Sequence, residues 1–278
     1  MSFWQALVMG IIQGLAEFLP ISSSGHLVLF RHILGINADV SSLFEVLLHV
    51  GTLGAVFVVF WEDVRSLIFE AFLLIGDAFM WLIKRKKIEM YPARKMVLLI
   101  LVSSIPTAII GLIIEVLLED FFLSSLVAVG VALIVTAAIL YAISKMPVGK
   151  KKLGKMKYDD ALFIGIVQGI SVIPGISRSG STVAAGIFSG LDKEFAFKYS
   201  FLVSIPAILG AAVLKLFSIT AADSLYMIAY LAGAAVAFAV GYFSITFLRY
   251  LVRKDKYYYF SYYCILAGFL AILIGVLK

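Results

Sequence analysis

A gapless internal repeat constrains this chain more than any other feature. Residues 3–36 align with 158–191, and 12 of the 34 pairs are identical: Ala6, Leu7, Gly10, Ile11, Gln13, Gly14, Ile21, Ser22, Ser24, Gly25, Val28 and Gly35 meet the same residue types 155 positions later. Apolar matching alone would not also bring Gln-Gly and Ser-x-Ser-Gly into register. A repeat of this kind is one structural unit made twice, so the fold must hold two related copies of it. Each copy is an apolar arm, a short polar run and a further apolar arm. The first polar run lies between Gln13 and His26, the other between Gln168 and Thr182.

The surroundings decide what such a unit can be. The chain is 63% hydrophobic and only 14% charged, whereas a soluble domain carries about a quarter charged residues. Several apolar runs reach the roughly 20 residues that span about 30 Å of hydrocarbon. The expected fold is therefore all-α, a polytopic membrane protein; the alternation of a transmembrane barrel is absent. The net charge of +6 is gathered in a few loops, which speaks of topology and not of a nucleic-acid partner. A single cysteine, Cys264, rules out an intrachain disulfide. No cleavable leader is expected, because the N-terminus lacks a basic segment and its first apolar run contains Glu17.

Six runs read as crossings: 41–61, 96–118, 124–144, 195–217, 225–248 and 257–277. Three basic stretches separate them: Lys84, Arg85, Lys86, Lys87, Arg94 and Lys95; Lys145, Lys150, Lys151, Lys152, Lys155 and Lys157; and Arg249, Arg253, Lys254 and Lys256. Together they hold 16 of the 23 Lys and Arg residues, so they should share the cytoplasmic side, with acidic turns at Glu119-Asp120 and Asp223 outside. The segment 158–191 must then enter and leave on one face. Two short arms around Pro174-Gly175 make a re-entrant hairpin, which is tolerated at depth only inside protein or beside a wet cavity. Residues 3–36 should do the same. Glu70 and Asp77 share a helical face in 64–83, so that segment is read as an amphipathic helix on the inner surface. Three crossings then separate the hairpins, and the repeats are inverted. Were 64–83 to cross, the repeats would run parallel and basic loops would fall on both sides. The expectation is one membrane domain, 1–278, with repeat 1 over 1–144, repeat 2 over 157–278 and hairpins at 3–36 and 158–191. Inverted repeats with broken helices commonly build a site near the midplane.

The polar runs carry the chemistry. Ser22, Ser23 and Ser24 are N-cap candidates for a helix beginning near Gly25, and Ser177 and Ser179 hold the equivalent places. Helix N-termini expose unpaired N–H groups and bind anions. Gly25, Gly175 and Gly180 permit close backbone approach, Ser181 and Thr182 add hydroxyls, and Arg178 adds a planar fork suited to phosphate oxygens. Ionisable groups at membrane depth are costly and usually functional, which singles out Glu17 and His26. The imidazole could attack phosphorus or deprotonate a serine or water; Glu17 could orient it, take a proton or hold a divalent cation. The run at 13–26 reads as the chemical half of a site, and the run at 168–182 as its anion clamp. Gln13 and Gln168 could be packing amides. Glu45 and His49 share a face of 41–61 and either line the same cavity or satisfy each other. The tyrosines at 257–263 read as an interfacial belt, and Cys264 as packing.

At these residues the chain resembles the undecaprenyl-diphosphate phosphatase family, membrane enzymes associated with bacitracin resistance. The family's first motif has Glu or Gln, Gly, two residues, Glu-Phe-Leu-Pro and Ser-Ser-x-Gly-His; Gln13 to His26 matches it, with Ala16 where Thr is common. Its other motif, Pro-Gly-x-Ser-Arg-Ser-Gly-x-Thr, is matched by Pro174 to Thr182. The resemblance covers essentially the whole chain. It implies hydrolysis of a polyprenyl diphosphate to the monophosphate and inorganic phosphate in the cell membrane, with catalytic weight on Glu17, Ser23, His26 and Arg178. It also implies a divalent cation, Mg or Ca, no organic cofactor and a site open to the outer face; a homo-oligomer stays open. Gln13 stands where the family has its first Glu, and Gln neither takes nor gives a proton. Ser23 and His26 both remain candidates for the nucleophile. The alternative from a different class is a transporter or flippase for an anionic lipid, with Glu17 and His26 as a proton-coupling pair. A weaker one is an intramembrane serine protease, in which Arg178 has no obvious role.

Overall fold

In the computed structural model, residues 1–36, 42–84, 89–147, 149–216, 225–254 and 256–277 are described. Among them the chain is entirely helical apart from turns and one isolated bridge between Lys151 and Leu191. The helices are α1 (Phe3–Ala16), α2 (Ser23–Ile33), α3 (Ser42–Val59), α4 (Trp61–Lys84), α5 (Pro92–Ser124), α6 (Leu126–Ser144), α7 (Tyr158–Ile170), α8 (Arg178–Phe188), α9 (Lys193–Leu216), α10 (Met227–Arg253) and α11 (Tyr259–Leu277). Five of them, α5, α6, α9, α10 and α11, are long and apolar enough to cross a membrane on their own. A sixth span results if α3 and α4, which meet at a 96° bend, are counted together. The protein is an all-α polytopic membrane protein. Helices dominate because hydrocarbon offers backbone groups no water, and only a helix satisfies them within one segment.

The repeat shows as two short helix–turn–helix hairpins, α1–α2 and α7–α8. With a rise of about 1.5 Å per residue, α1 is only ~21 Å long and α2 ~16 Å, too short to span hydrocarbon singly. Each hairpin has its two ends tied together. Gln5 Nε2 donates to Leu34 O at 3.2 Å in the first. In the other, Lys151 N–H donates to Gly190 O at 3.0 Å while Lys151 Nζ reaches Asp160 Oδ1 at 3.2 Å. The hairpins exchange partners across the molecule: α1 packs on α10 and α7 on α5. Repeat-related glycines make this possible. A Cβ on Gly10 would lie 2.4 Å from Gly233 O, and one on Gly165 2.2 Å from Ser103 O. Contacts advance in step, from Gly10–Gly233 to Gly14–Ala237 and from Gly165–Ser103 to Gly169–Ile110, so α1 runs parallel to α10 and α7 parallel to α5.

The basic stretches gather at one end of the bundle. Lys95 Nζ donates to Gly154 O at 2.9 Å, Asp192 N–H donates to Lys151 O at 2.9 Å, and Arg253 Nε sits 3.0 Å from Glu194. Helix α5 starts at this end and α10 finishes there. Consequently α7 enters from the basic end and α1 from the opposite one. Residues 85–87 of the first stretch, and the expected acidic turn at Asp223, lie outside the described residues.

Two sequence expectations need correction, and one is narrowed. The chain does not turn at Glu119-Asp120: the backbone stays helical through them to Ser124, and Ser125 breaks it by capping α6, accepting from Ala128 N–H at 3.2 Å. Continued apolar periodicity and the next N-cap outweigh two acidic residues. The helix after the first polar run starts at Ser23, close to Gly25, and of the three candidate serines Ser22 is its N-cap. Finally, Glu70 and Asp77 of α4 do not form a freely solvated face, although the Asp77 side chain stays 42% exposed. Arg94 on α5, buried at 3% exposure, takes both, with Nε 3.3 Å from Glu70 and Nη1 2.9 Å from Asp77. The outer face of α4 is instead apolar, with Ile68, Phe69, Phe72 and Ile75 exposed.

Candidate active site

The two turns, loop 1 (residues 17–22) and loop 2 (171–177), meet back to back. Their closest backbone contacts are reciprocal under the 155-residue shift, while the hydrogen bonds between them are not. Gly25 packs on Gly175, where a Cβ would lie 2.9 Å from Gly175 Cα; its counterpart Gly180 packs on Pro20, the counterpart of Gly175. Ser22 Oγ accepts from Gly175 N–H at 3.1 Å, and Ser179 Oγ donates to Leu19 O at 3.4 Å. Ser22 and Ser177 cap the following helices, accepting from the N–H of Gly25 at 3.3 Å and of Gly180 at 3.1 Å. Both helices thus begin side by side, with Ser23 and Arg178 at equivalent first positions.

Glu17 is where the halves join. It is 4% exposed. Its Oε2 accepts from Ser23 Oγ at 2.6 Å and from Gln13 Nε2 at 2.9 Å, and its Oε1 is held by Arg178 Nη2. His49 Nε2, from α3, lies 3.6 Å from Oε2. A carboxylate at this depth needs such company, since an unpaired buried charge costs several kcal/mol. Arg178 supplies the opposite charge, and Ser23 and Gln13 supply the donors. His49 Nδ1 is 2.8 Å from Glu45 O, and Glu45 pairs with Arg31 at 2.5 Å.

A cavity of about 300 Å³ opens on this cluster. Glu17, Ser23, Ser24, Glu45, His49, Thr107, Gln168, Ser171 and Arg178 give it a polar head. Its flank, drawn from α2, α5 and α9, is mainly apolar, with Leu27, Val28, Ile114, Leu118, Phe122 and Ile208, and carries one carboxylate, Glu115. Of the residues singled out by sequence, Glu17, Ser23, Ser24, Glu45, His49, Gln168 and Arg178 line this cavity. The others surround or support it. Gln13 holds Glu17, with its own Oε1 buried and unpartnered. Ser22, Gly25, Gly175, Ser177, Ser179 and Gly180 build the two turns. Thr182 Oγ1 donates to Arg178 O at 2.8 Å and bonds Ser200, and Ser181 Oγ is buried without a partner.

His26 is not among the residues lining the cavity. Its ring is 3% exposed and points the other way. Nδ1 is 2.8 Å from Ser22 O, and Nε2 is 2.8 Å from the hydroxyl of Tyr263 on α11. Ser22 explains the need for a strut. It is the only described non-glycine residue with positive φ, at 70°, a conformation that costs of order 1–3 kcal/mol and persists only when its surroundings impose it. Loop 2 is held more simply: Thr136 on α6 donates to Gly175 O at 2.8 Å and accepts from Ser177 N–H at 2.9 Å.

Sequence reasoning missed Tyr263 and Thr136, and weighed His49 without placing it. The donor set does not suit a resident divalent cation. Among the described residues no three His, Cys, Asp or Glu side chains gather as a metal site. Both oxygens of Glu17 are engaged, one by a guanidinium whose charge would repel a cation there.

The geometry is that of a hydroxyl aimed into a cavity, a carboxylate against it and a guanidinium opposite. The chain matches the family described as bacitracin resistance protein BacA over residues 6–270. It is 43% identical to the undecaprenyl-diphosphatase of Halothermothrix orenii over 280 residues, 99% of each chain. It is 41% identical to that of Alkaliphilus metalliredigens over the full length of both, and 40% identical to that of Desulforapulum autotrophicum over 99% of each. With a match along nearly its whole length, the chain belongs to the BacA bacitracin resistance family.

Proposed function

We propose that this protein hydrolyses undecaprenyl diphosphate, or a similar polyprenyl diphosphate, to the monophosphate and inorganic phosphate, recycling a carrier lipid for cell-wall polymers at the cell membrane. One observation carries the reading: Glu17 joins Ser23 from one loop to Arg178 from the other at the polar head of a cavity whose flank is mainly apolar. Such a cavity suits a charged headgroup on a long hydrocarbon tail.

The mechanism follows from the contacts. Arg178 and the first-turn N–H groups of α2 and α8 hold the diphosphate and take up the charge that builds on its equatorial oxygens. Ser23 Oγ attacks the terminal phosphorus and passes its proton to Glu17 Oε2. The bond from that phosphorus to the bridging oxygen breaks, and the prenyl monophosphate leaves with the proton that Glu17 held, which returns the carboxylate to its ionised form. Water then attacks the phosphoserine, again giving a proton to Glu17; the P–Oγ bond breaks, Ser23 regains its proton and inorganic phosphate departs. His49 Nε2 is the next group to which Glu17 can pass a proton. His26 serves as the strut behind Ser22, because both its nitrogens are engaged away from the cavity.

The hairpins are read as re-entrant from opposite membrane faces, with the basic end cytoplasmic, supported by their tied ends and by the clustering of basic stretches. A transport site needs an anion held; it does not need a hydroxyl aimed by a carboxylate. Phosphate release by the purified protein tests the function, with undecaprenyl diphosphate against a soluble short-chain diphosphate, with and without chelator. The long-chain substrate should be strongly preferred, and Ser23→Ala should abolish release, a loss of about 10³-fold or more. Wild-type turnover in Ser23→Ala would sink the assignment.

A further inference from the structure

Tyr263 lies in a run of tyrosines suited to a membrane interface, and it is 44% exposed. Its hydroxyl nevertheless makes a specific contact, 2.8 Å from His26 Nε2, with the two rings 14° from parallel. The other ring nitrogen fixes the direction of that bond. A carbonyl oxygen only accepts, so His26 Nδ1, 2.8 Å from Ser22 O, carries the hydrogen. In the neutral ring Nε2 then presents a lone pair, and Tyr263 O–H donates to it. The chain of donors runs from Tyr263 to His26 to the Ser22 carbonyl, one peptide from Ser23.

Another contact of the same helix supports this. The thiol of the next residue, Cys264, is 3.6 Å from Pro20 O. Consecutive residues of α11 therefore grip loop 1 on both sides of Ile21. On loop 2 the matching grip comes from α6, through Thr136. Helices α6 and α11 pack on each other through Gly130 and Gly268, each glycine facing the other's carbonyl oxygen. Each of these paired helices braces one loop.

We infer that Tyr263 is a positioning residue of the reaction: by donating to His26 Nε2 it locks the imidazole in the Nδ1–H form that clamps Ser22 in its positive-φ conformation and so keeps Ser23 aimed at phosphorus. Tyr263 touches neither substrate nor reacting atoms. The inference rests on the hydrolase reading above.

The test is Tyr263→Phe, with Tyr262→Phe as its neighbour control. A misaim of a nucleophile costs kcat and leaves binding intact, so kcat for undecaprenyl diphosphate should fall roughly 10- to 100-fold with KM within about twofold. Tyr262→Phe should match wild type. In a His26→Gln background, Tyr263→Phe should cause no further loss, because the path through the imidazole is already cut. The protein has three histidines, so nitrogen-15 histidine spectra can be assigned by substitution. The His26 signals should show a protonated Nδ1 and a hydrogen-bonded Nε2 in wild type and lose that signature in Tyr263→Phe. A rise in KM at unchanged kcat, an additive loss in the His26→Gln background, or unchanged His26 signals would each overturn the inference. A wild-type protein that releases no phosphate would overturn the hydrolase reading, while the spectra would still decide whether Tyr263 fixes the ring.

Discussion

Loop 1 and loop 2 come from one pattern and are held in opposite ways. In loop 1 the capping serine, Ser22, sits at φ 70° and is braced through an imidazole by a phenol from α11. In loop 2 its counterpart, Ser177, has an ordinary extended backbone, φ −73° and ψ 113°, and Thr136 bonds it directly. The residue that follows explains the difference. Ser23 carries its oxygen one bond beyond Cβ, with a single heavy-atom torsion, so only the backbone can aim it. Arg178 has several torsions and can bring a guanidinium to Glu17 from a relaxed turn. Strain appears in the loop whose short side chain must be placed, and charge comes from the loop whose long side chain reaches without it.

The sharpest way to break this comparison is to exchange the one carboxylate. Val172 occupies the position in repeat 2 that Glu17 has in repeat 1. Glu17→Val should lower phosphate release by about 10³-fold, within the range for loss of a general base, and adding Val172→Glu should restore none of it. Recovery to within tenfold would mean the halves are interchangeable. A middle-sized effect is expected from Arg178→Lys. The charge stays, but the planar fork is lost, and turnover should drop roughly 10- to 100-fold. An unchanged rate would show that loop 2 supplies charge without geometry. The smallest effect on rate is expected from Thr136→Val. It leaves Ser177 N–H and Gly175 O without their partner and should cost about 1–3 kcal/mol of stability, read as a lower melting temperature in detergent. Turnover at low temperature should change less than about threefold, since the loop it braces is unstrained. A large loss of rate with unchanged melting would reverse the roles assigned to the two loops.

Much of this architecture is legible in the sequence. The repeat locates both hairpins, and Glu17, Ser23 and Arg178 stand out because polar groups in an apolar arm are expensive. The long apolar runs mark five of the spans, while the run at 41–61 reaches span length only when α3 is counted with α4 across their bend. Three features are hidden, each for a physical reason. Helix α5 runs past Glu119 and Asp120 because the apolar pattern continues beyond them and Ser125, the next N-cap, sets the break, which outweighs the disfavour of acidic residues near a helix C-terminus. The face presented by a helix that is apolar all round cannot be read from its periodicity, so nothing in α6 announces Thr136. Tyr263 and His26 are 237 residues apart, and one tyrosine in a cluster of them carries no local mark of its partner. His26 itself is visible, but its direction is not: a histidine near a reactive serine suggests a base, and only the tertiary contact turns it away from the cavity.

The mainly apolar flank of the cavity, from Leu27 to Phe122 and Ile208, has a consequence for how the protein meets its substrate. A lipid whose tail stays in the bilayer is searched for in two dimensions. The quantity that fills the site is then the number of substrate molecules per membrane area, not per litre. Added detergent or inert lipid should thin that population and slow turnover at constant bulk concentration, so rates measured in micelles of different size become comparable only when expressed against mole fraction.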